Sequence, residues 1–359
     1  MAQKLRGVEA GRGIAATLVV LVHATSLRFG PFPGRLAFGG LFEFAHAGVD
    51  FFFVLSGFII YHVHRDDLDN PQRLGSYTWR RFARIFPVYW IILFGFGLLL
   101  LYSPPRDPHV LSTGNIISSI FLLPWDQRPI LPNAWTLRHE LLFYTLFAVL
   151  ILNRRIGRII LAAWAALIIW NFSYTWIQGH PFFTGLEGYL PFRIFNIEFF
   201  FGMAVALLVR HVRPWYPRTL LVIGLIIFFG DGLIESFGPT VPVEWPPRHL
   251  GYAFGAALAL YGLVTAEEAG TLRVPSFLVM LGTASYSIYL TQSTTIMIVD
   301  YALRPFQTSA LLQPELTFIA IVVIGLLPGL IFSRIIELPL LKILRRTPQR
   351  ILGLRPSLR

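Results

Sequence analysis

Long uninterrupted apolar runs dominate the hydrophobic pattern of this chain. Ten runs end at charged residues or at Pro/Gly clusters, and each is long enough to cross a bilayer as an α-helix of roughly 17 to 25 residues. The runs lie at 13–30, 45–64, 84–102, 134–153, 157–177, 190–210, 218–235, 249–266, 278–300 and 315–336. The pattern therefore predicts an all-α integral membrane protein with about ten transmembrane helices.

One further apolar segment is too short to span a bilayer. It runs from Ile116 to Leu123 and falls in the longest predicted loop, Ser103 to Asn133. A run of this length is typical of a helix that lies at the membrane interface or re-enters the membrane.

Composition supports the same class of protein. The 359 residues are 55% hydrophobic and 14% charged, and the mean hydropathy is +0.62. These values lie outside the range of soluble globular domains. Cysteine is absent, which excludes disulfides, thiol catalysis and Cys-based metal sites.

The positive charges predict the orientation. If both termini are cytoplasmic, most of the 30 Lys and Arg residues lie on the cytoplasmic side, as the positive-inside rule requires. The net charge of +11 then needs no nucleic-acid partner. We take residues 1–340 as one transmembrane domain and 341–359 as a basic cytoplasmic tail that lies near anionic lipid.

Several ionisable side chains are predicted at similar depths below the outer surface. At 1.5 Å of rise per residue, His23 and Glu140 each lie about 8 Å deep, Asp50 lies about 6 Å deep, and Glu198 lies slightly deeper. Ionisable groups in hydrocarbon are costly and face a protein interior or a wet cavity. The shared depth indicates a common polar pocket.

A histidine beside a carboxylate suits general-base chemistry on a hydroxyl. The carboxylate would orient the ring of His23 and favour its protonated form. Two structural interpretations stay open: an ion pair between helices, and a buried histidine hydrogen-bonded to a neighbouring helix.

Two arginines begin the third run on the predicted cytoplasmic side. Arg81 and Arg84 are three residues apart and share one face of the helix, where they could hold phosphates by forked hydrogen bonds. The positive-inside rule alone would also place arginines there.

Small residues occupy the middle of the second run. Ser56 and Gly57, within GVDFFFVLSGF, would allow a thin ligand to pass. Close helix packing through small residues is the alternative.

Five motifs follow one another along most of the chain. They are Arg12 and His23 with ten residues between them, GVDFFFVLSGF (Gly48 to Phe58), RRFARIFPVYW, WTLRHE (Trp135 to Glu140) and SYSIYL (Ser285 to Leu290). Taken as a set and in this order, they resemble the acyltransferase 3 family of integral membrane acyltransferases. The opening segment is most similar to the exopolysaccharide O-acetyltransferase branch of the succinoglycan type.

The resemblance implies a bacterial inner-membrane enzyme that transfers an acetyl or other short acyl group from cytoplasmic acyl-CoA to a hydroxyl of an extracytoplasmic or lipid-linked polysaccharide. It implies no metal. His23 and Glu140 would be catalytic. The donor-binding residues would be Arg12, Arg81, Arg84, Ser56 and Gly57, and the acceptor-binding residues Asp50, Trp135 and Arg138. Many family members have His where this chain has Gln292, which argues against a second titratable role there.

The expected partners are therefore acyl-CoA, a glycan or lipid-linked oligosaccharide, and membrane lipid. The two substrates should enter from opposite faces, with the donor spanning most of a ~30 Å core from the arginines to His23. The acceptor would approach beside the Ser103 to Asn133 loop, near Trp125 and Trp135. The alternative function is a transporter or flippase for a lipid-linked saccharide, which an internal repeat would favour; the sequence contains no such repeat.

Overall fold

The computed structural model describes residues 5–25, 36–103, 105, 107–124, 128–183, 190–238, 246–303 and 313–351. These residues form thirteen α-helices joined by turns and short 3₁₀ segments, and none of them is in a β-strand. The helices are α1 (Arg6–Thr25), α2 (Gly48–His64), α3 (Leu74–Tyr102), α4 (Thr113–Phe121), α5 (Trp135–Leu152), α6 (Arg154–Gln178), α7 (Ile197–His211), α8 (Pro217–Phe237), α9 (Pro246–Glu268), α10 (Ser276–Thr283), α11 (Ser285–Leu303), α12 (Pro314–Phe332) and α13 (Leu338–Ile351).

Nine helical stretches in the described part of the chain are long and apolar enough to cross a membrane. The prediction of an all-α multi-pass membrane protein is thereby confirmed. The predicted run 278–300 is the exception, because it is divided between α10 and α11 at Ala284 and is not among the nine. The division follows Gly282, where a Cβ would collide with the backbone of Glu9 in α1.

The first helix also differs from its predicted bounds. It begins at Arg6 rather than at residue 13, because the backbone N–H groups of Arg6 and Gly7 donate to the carboxylate of Glu267 at 2.8 and 2.7 Å. A carboxylate at a helix N-terminus satisfies N–H groups that have no partner within the helix. The helix ends at Thr25, and Arg28, the predicted outer boundary of the run, lies outside the described residues.

The short apolar segment forms α4, a helix of nine residues. The side chain of Ser112 caps its start by accepting the N–H of Asn115 at 3.4 Å, and Leu122 ends it in the left-handed conformation. Its outward face carries exposed apolar side chains, including Ile117 and Phe121. A helix this short, at about 1.5 Å per residue, cannot span the bilayer, in agreement with the sequence.

The chain divides into two compact units. The first unit consists of Ile59–Phe200 and Ile335–Arg359 together with residues 1–3, and its helices include α3 to α6 and α13. The second unit consists of Lys4–Phe58 and Phe201–Arg334, and its helices include α1, α8 to α12 and most of α2 and α7.

Glycines permit close helix packing in the second unit. A Cβ at Gly224 or Gly262 would collide with the backbone of the facing helix in the α8–α9 pair. Gly13 of α1 lies against the backbone of Leu278 and Gly282 in the same way. Such contacts replace the hydrophobic driving force that lipid does not supply between membrane helices.

Aromatic stacking and a tight turn organise the first unit. The rings of Phe143 and Phe199 stack with their centroids 4.3 Å apart, and both are fully buried. Trp164 of α6 contacts Phe200 at 5.4 Å. Gly157 lies so close to the backbone of Leu150 that α5 and α6 pack as an adjacent pair.

Candidate active site

Glu140 belongs to a linked polar cluster in the first unit. Its carboxylate accepts a hydrogen bond from the hydroxyl of Tyr144, one helical turn further along α5. The hydroxyl of Tyr77 donates to the backbone carbonyl of Tyr144 at 2.9 Å. The guanidinium of Arg81 lies 5.5 Å from the ring centre of Tyr144 and 6.0 Å from that of Tyr77, within the range of cation–π attraction.

This cluster brings a predicted donor-binding residue close to a predicted catalytic one. A single tyrosine ring separates the Arg81 guanidinium from the hydroxyl that donates to Glu140. The depths predicted from the helical rise, in contrast, place the arginines and Glu140 apart by most of the thickness of the bilayer. The difference arises because Arg81 is seven residues into α3, about 10 Å along its axis, rather than at its start.

Arg81 also retains hydrogen-bonding capacity. Its Nε is buried and forms no hydrogen bond to any residue that the structure describes. A buried donor without a partner is costly unless a ligand or water satisfies it. Arg81 can therefore bind an anionic or carbonyl group.

Arg84 has a protein partner that the sequence did not reveal. Its Nη1 lies 2.7 Å from Oε1 of Glu337, a carboxylate whose side chain is 0% exposed. Glu337 ends the π-helical turn Ser333–Glu337, far along the chain. This ion pair favours the structural interpretation of Arg84, because much of its charge is already neutralised.

The other predicted residues of α5 lie in a buried layer at its start. Arg138 is 3% exposed and donates to the hydroxyl of Ser118 in α4 at 3.0 Å. The Trp135 ring packs against Phe195 at 5.5 Å and against the imidazole of His139 at 5.7 Å. Arg138 therefore contacts α4 through Ser118, and its contact with the acceptor stays a prediction.

His139 is a buried residue that the sequence analysis did not single out. Its Nδ1 lies 2.8 Å from Oδ1 of Asn196. The Nδ2 of Asn196 donates to the carbonyls of Leu190 and Pro191 at 2.9 and 3.0 Å, so its oxygen faces the imidazole and Nδ1 of His139 carries the proton. This arrangement fixes the His139 ring in place.

His23 lies two residues before the end of α1, in the second unit, and is partly buried. Its Nδ1 is 2.7 Å from the carbonyl oxygen of Val19. A carbonyl can only accept, so Nδ1 carries the proton, and the Nε2 of the neutral ring has a lone pair. The helix itself thus holds His23 in the tautomer that a general base requires.

Arg12 lies on the same face of α1 as His23. Arg12 and His23 are eleven positions apart, which corresponds to three turns and about 16 Å along the axis. On one side of this face, α1 contacts α2, where Gly11 is close to Phe51. On the other side, α1 packs against α11 through Ala16. Arg12 and His23 therefore face the junction of α1, α2 and α11.

Ser56 and Gly57 occupy a helix contact. A Cβ at Gly202 of α7 would collide with the backbone of Val54 and Phe58 in α2, on either side of the Ser-Gly pair. The contact agrees with the packing alternative for Gly57. Ser56 is partly buried and lies one turn from Phe52, whose ring contacts Tyr289 of α11 at 5.8 Å.

Asp50 forms a buried pair with a histidine of α9. Its Oδ1 is 2.7 Å from Nδ1 of His249, and the two side chains are 1% and 3% exposed. The sequence identified Asp50 but not His249, although a histidine at the start of an apolar run is a signal of the same kind.

A second charged network, centred on Glu235, was also missed. Oε1 of Glu235 lies 2.8 Å from Nε2 of His46 and accepts from Arg248 at 3.0 Å, while Oε2 accepts from the Tyr252 hydroxyl at 2.7 Å. Its members come from α8, α9 and the 3₁₀ turn before α2. In the sequence, Glu235 only marks the end of a predicted run. The tertiary structure is needed to show that both oxygens of its carboxylate have partners.

The predicted site residues are thus distributed over both units. The first unit contains Glu140, Arg81, Arg84, Trp135 and Arg138, and the second contains His23, Arg12, Asp50, Ser56 and Gly57. The pairing of His23 with Glu140 stays a prediction. Trp125, proposed beside the acceptor path, lies outside the described residues.

Comparison with known proteins identifies the family. The acyltransferase domain of the acyltransferase 3 family matches residues 5–337. The chain belongs to this family. The match extends over every candidate residue above, including both partners of the Arg84–Glu337 pair. The chain is therefore a membrane acyltransferase, and the resemblance drawn from its motifs is confirmed.

Among curated relatives, the exopolysaccharide production protein ExoZ of Rhizobium meliloti (strain 1021) is 29% identical over 317 residues, which cover 85% of this chain and 92% of that protein. No solved structure matches the chain. The family assignment therefore rests on sequence, and the geometry of the site on the structure described above.

Proposed function

We propose that this acyltransferase moves an acetyl or other short acyl group from acyl-CoA to a hydroxyl of an extracytoplasmic or lipid-linked polysaccharide. The observation that carries the proposal is the tautomer of His23, whose Nδ1–H is held by the Val19 carbonyl so that Nε2 is a base. In an acyltransferase, a base of this kind serves to activate the acceptor hydroxyl. The name of the relative ExoZ supports a polysaccharide as the acceptor.

Transfer proceeds by attack of the hydroxyl oxygen on the thioester carbonyl carbon. Nε2 of His23 takes the hydroxyl proton as the new C–O bond forms. The C–S bond then breaks, the imidazolium returns the proton to the departing sulfur, and the products are the ester and CoA thiol. Glu140 stabilises the imidazolium in the predicted pairing, and Tyr144 positions Glu140 by its hydrogen bond.

On the donor side, Arg81 and Arg12 bind the CoA moiety. The buried, unpartnered Nε of Arg81 supports this assignment, because phosphate and carbonyl oxygens would satisfy it. Arg84 acts chiefly through Glu337, which lies beside α3 at the end of the region that matches the family. Ser56 and Gly57 line the donor path on the α2 side, next to the backbone contact that Gly202 of α7 makes with Val54 and Phe58.

On the acceptor side, the carboxylate of Asp50, oriented by His249, and the indole of Trp135 contact the glycan. Arg138, which donates to Ser118 of α4, is assigned to the same side. In the orientation predicted from the positive charges, these groups face the outside of a bacterial inner membrane. The acceptor therefore need not cross the bilayer.

Sided vesicles provide the test. The purified protein is reconstituted, its orientation is sorted, and radiolabelled acetyl-CoA and a de-O-acylated oligosaccharide from the strain's own exopolysaccharide are supplied on the same or on opposite faces. We expect label on the oligosaccharide only when the donor is on the cytoplasmic face and the acceptor is outside. His23→Ala and Glu140→Ala should each abolish transfer, and the double variant should be no worse than either single variant.

Two results would contradict the proposal. Efficient transfer with both substrates confined to the cytoplasmic face would refute the two-sided mechanism. Movement of a lipid-linked saccharide across the vesicle, without any acetyl-CoA requirement or acetyl product, would instead identify a flippase.

A further inference from the structure

Gln292, in α11 of the second unit, is a buried polar side chain without a hydrogen-bond partner in the described part of the chain. It is 0% exposed, and neither its amide oxygen nor its amide nitrogen forms a hydrogen bond to any residue that the structure describes. Ser285 of the same helix is also 0% exposed, and its hydroxyl likewise has no partner among those residues. Buried polar groups are normally hydrogen-bonded, so each exception needs an explanation.

Two hydroxyls of the same helix are satisfied within it, whereas those of Ser293 and Thr294 also have no hydrogen-bond partner among the described residues. Thr291 donates to the carbonyl of Ser287 at 2.8 Å, and Thr295 donates to that of Thr291 at 3.0 Å. Both use the carbonyl one turn back, which is the common solution within a helix. The amide of Gln292 is not satisfied in this way, and its two polar atoms require both a donor and an acceptor.

The packing of α11 shows where Gln292 points. Ile288 and Ile296 lie one turn before and one turn after it on the same face. Ile288 packs in a cluster with Ala16 and Val20 of α1, and Ile296 packs with Ala24; both isoleucines also contact α12. Gln292 therefore lies at the level of α1 residues 20 to 24, which include His23.

Ser285 lies on the same strip of α11. It is seven residues from Gln292, which corresponds to two turns and about 10 Å along the axis. Between them lies Tyr289, whose ring contacts Phe52 of α2. The strip thus faces the junction of α1, α2 and α11, the same junction that Arg12 and His23 face from α1.

The spacing of Ser285 and Gln292 matches the donor. The pantetheine arm of an acyl-CoA carries the thioester carbonyl and two amides along one chain. Eight bonds separate the acyl carbonyl carbon from the nitrogen of the second amide. At the length per bond of a fully extended peptide chain, these eight bonds span about 9 Å. This length is close to the ~10 Å between Ser285 and Gln292.

We propose that the junction of α1, α2 and α11 binds the pantetheine arm of the acyl-CoA donor, with Gln292 hydrogen-bonded to the acyl carbonyl beside His23 and Ser285 hydrogen-bonded to the second amide. The inference rests on the proposed function, and it names the site that the donor would occupy. The amide Nε2–H of Gln292 would donate to the carbonyl oxygen on which negative charge develops as the hydroxyl adds. That oxygen regains its double bond when the C–S bond breaks and the thiolate takes its proton from His23.

Truncated donors test each contact separately. Acetyl-CoA and S-acetylpantetheine contain both amides, whereas the acetyl thioester of N-acetylcysteamine lacks the second. Gln292→Leu should lower kcat/KM about tenfold for all three donors, because the loss is of one hydrogen bond to the reacting carbonyl. Ser285→Ala should lower it severalfold for the first two and leave the third unchanged.

Stability distinguishes a ligand-binding role from a structural one. If Gln292 has no protein partner, the apolar and similarly sized Leu should leave the donor-free protein as stable as the wild type or more so. If Gln292 instead had a structural role, Gln292→Leu would make the donor-free protein less stable than the wild type. Thr295→Val is the matched control, since that hydroxyl already bonds to a carbonyl of its own helix, and it should leave the kinetics with all three donors unchanged.

The outcomes separate this inference from the proposed function. Transfer by the wild type, together with unchanged kcat/KM in Gln292→Leu, would refute the inference alone. A fall in Ser285→Ala that is equal for all three donors would refute the contact with the second amide. Absence of any transfer from acetyl-CoA by the folded wild type would instead refute the proposed function.

Discussion

The ion pair between Arg84 and Glu337 gives a quantitative prediction about a residue first assigned to donor binding. The two charges are 2.7 Å apart, and their side chains are 26% and 0% exposed. Removing one member of a buried pair costs about 3–5 kcal/mol of folding free energy, because the other charge loses the opposite charge that offsets its desolvation. Arg84→Gln leaves the fully buried carboxylate behind, so we expect a loss at the upper end of that range.

The reverse substitution should cost less. Glu337→Gln leaves a guanidinium that is one-quarter exposed and can be partly hydrated, so we expect a loss at or below the lower end, about 3 kcal/mol. Replacing both, as Arg84→Met with Glu337→Leu, removes both charges and should recover most of the stability, since apolar replacements of buried pairs are often neutral or better.

The assay is unfolding of the four proteins in the same detergent, with calorimetry of acetyl-CoA binding to the folded protein. If the pair is structural, the wild type and the double variant should be the most stable, Glu337→Gln less stable and Arg84→Gln the least stable. All four proteins should bind acetyl-CoA with similar affinity. If Arg84→Gln were as stable as the wild type but bound acetyl-CoA at least tenfold more weakly, the structural interpretation would be wrong, and Arg84 would be a phosphate ligand.

Three further predictions concern residues of the same fold. Tyr144→Phe removes the hydrogen bond to Glu140 but keeps the ring beside Arg81, so kcat should fall about tenfold or more at unchanged acetyl-CoA KM; a wild-type kcat would show that the hydroxyl does not position the carboxylate. Arg81→Gln should weaken acetyl-CoA binding about tenfold at low salt and reduce its salt dependence, and equal affinity by calorimetry would return this arginine to a topological role. Gly202→Ala should destabilise the protein, since its Cβ would collide with the α2 backbone, whereas Gly97→Ala meets nothing within 4 Å; equal melting temperatures for the two variants would contradict the packing.

The sequence by itself determined the class of fold and the family. Apolar runs long enough to cross a bilayer are a local property of the chain, so nearly all of the long helices could be read from it. His23 and Glu140 were identifiable for the same reason, because an ionisable residue within an apolar run stands out without any knowledge of its neighbours. The motifs from Arg12 to Leu290 were sufficient for the family, which the match over residues 5–337 confirms.

The tertiary structure decided which polar groups meet. Arg84 and Glu337 are 253 residues apart, and His46 and Glu235 are 189 apart, so their pairing depends on how helices pack and not on any periodic pattern. The same holds for the start of α1, which is set by the carboxylate of Glu267, and for the break in the run 278–300, which follows the close contact at Gly282. Residue type alone could not show that Gln292 is buried without a partner, because burial and hydrogen bonding belong to the packed helices together.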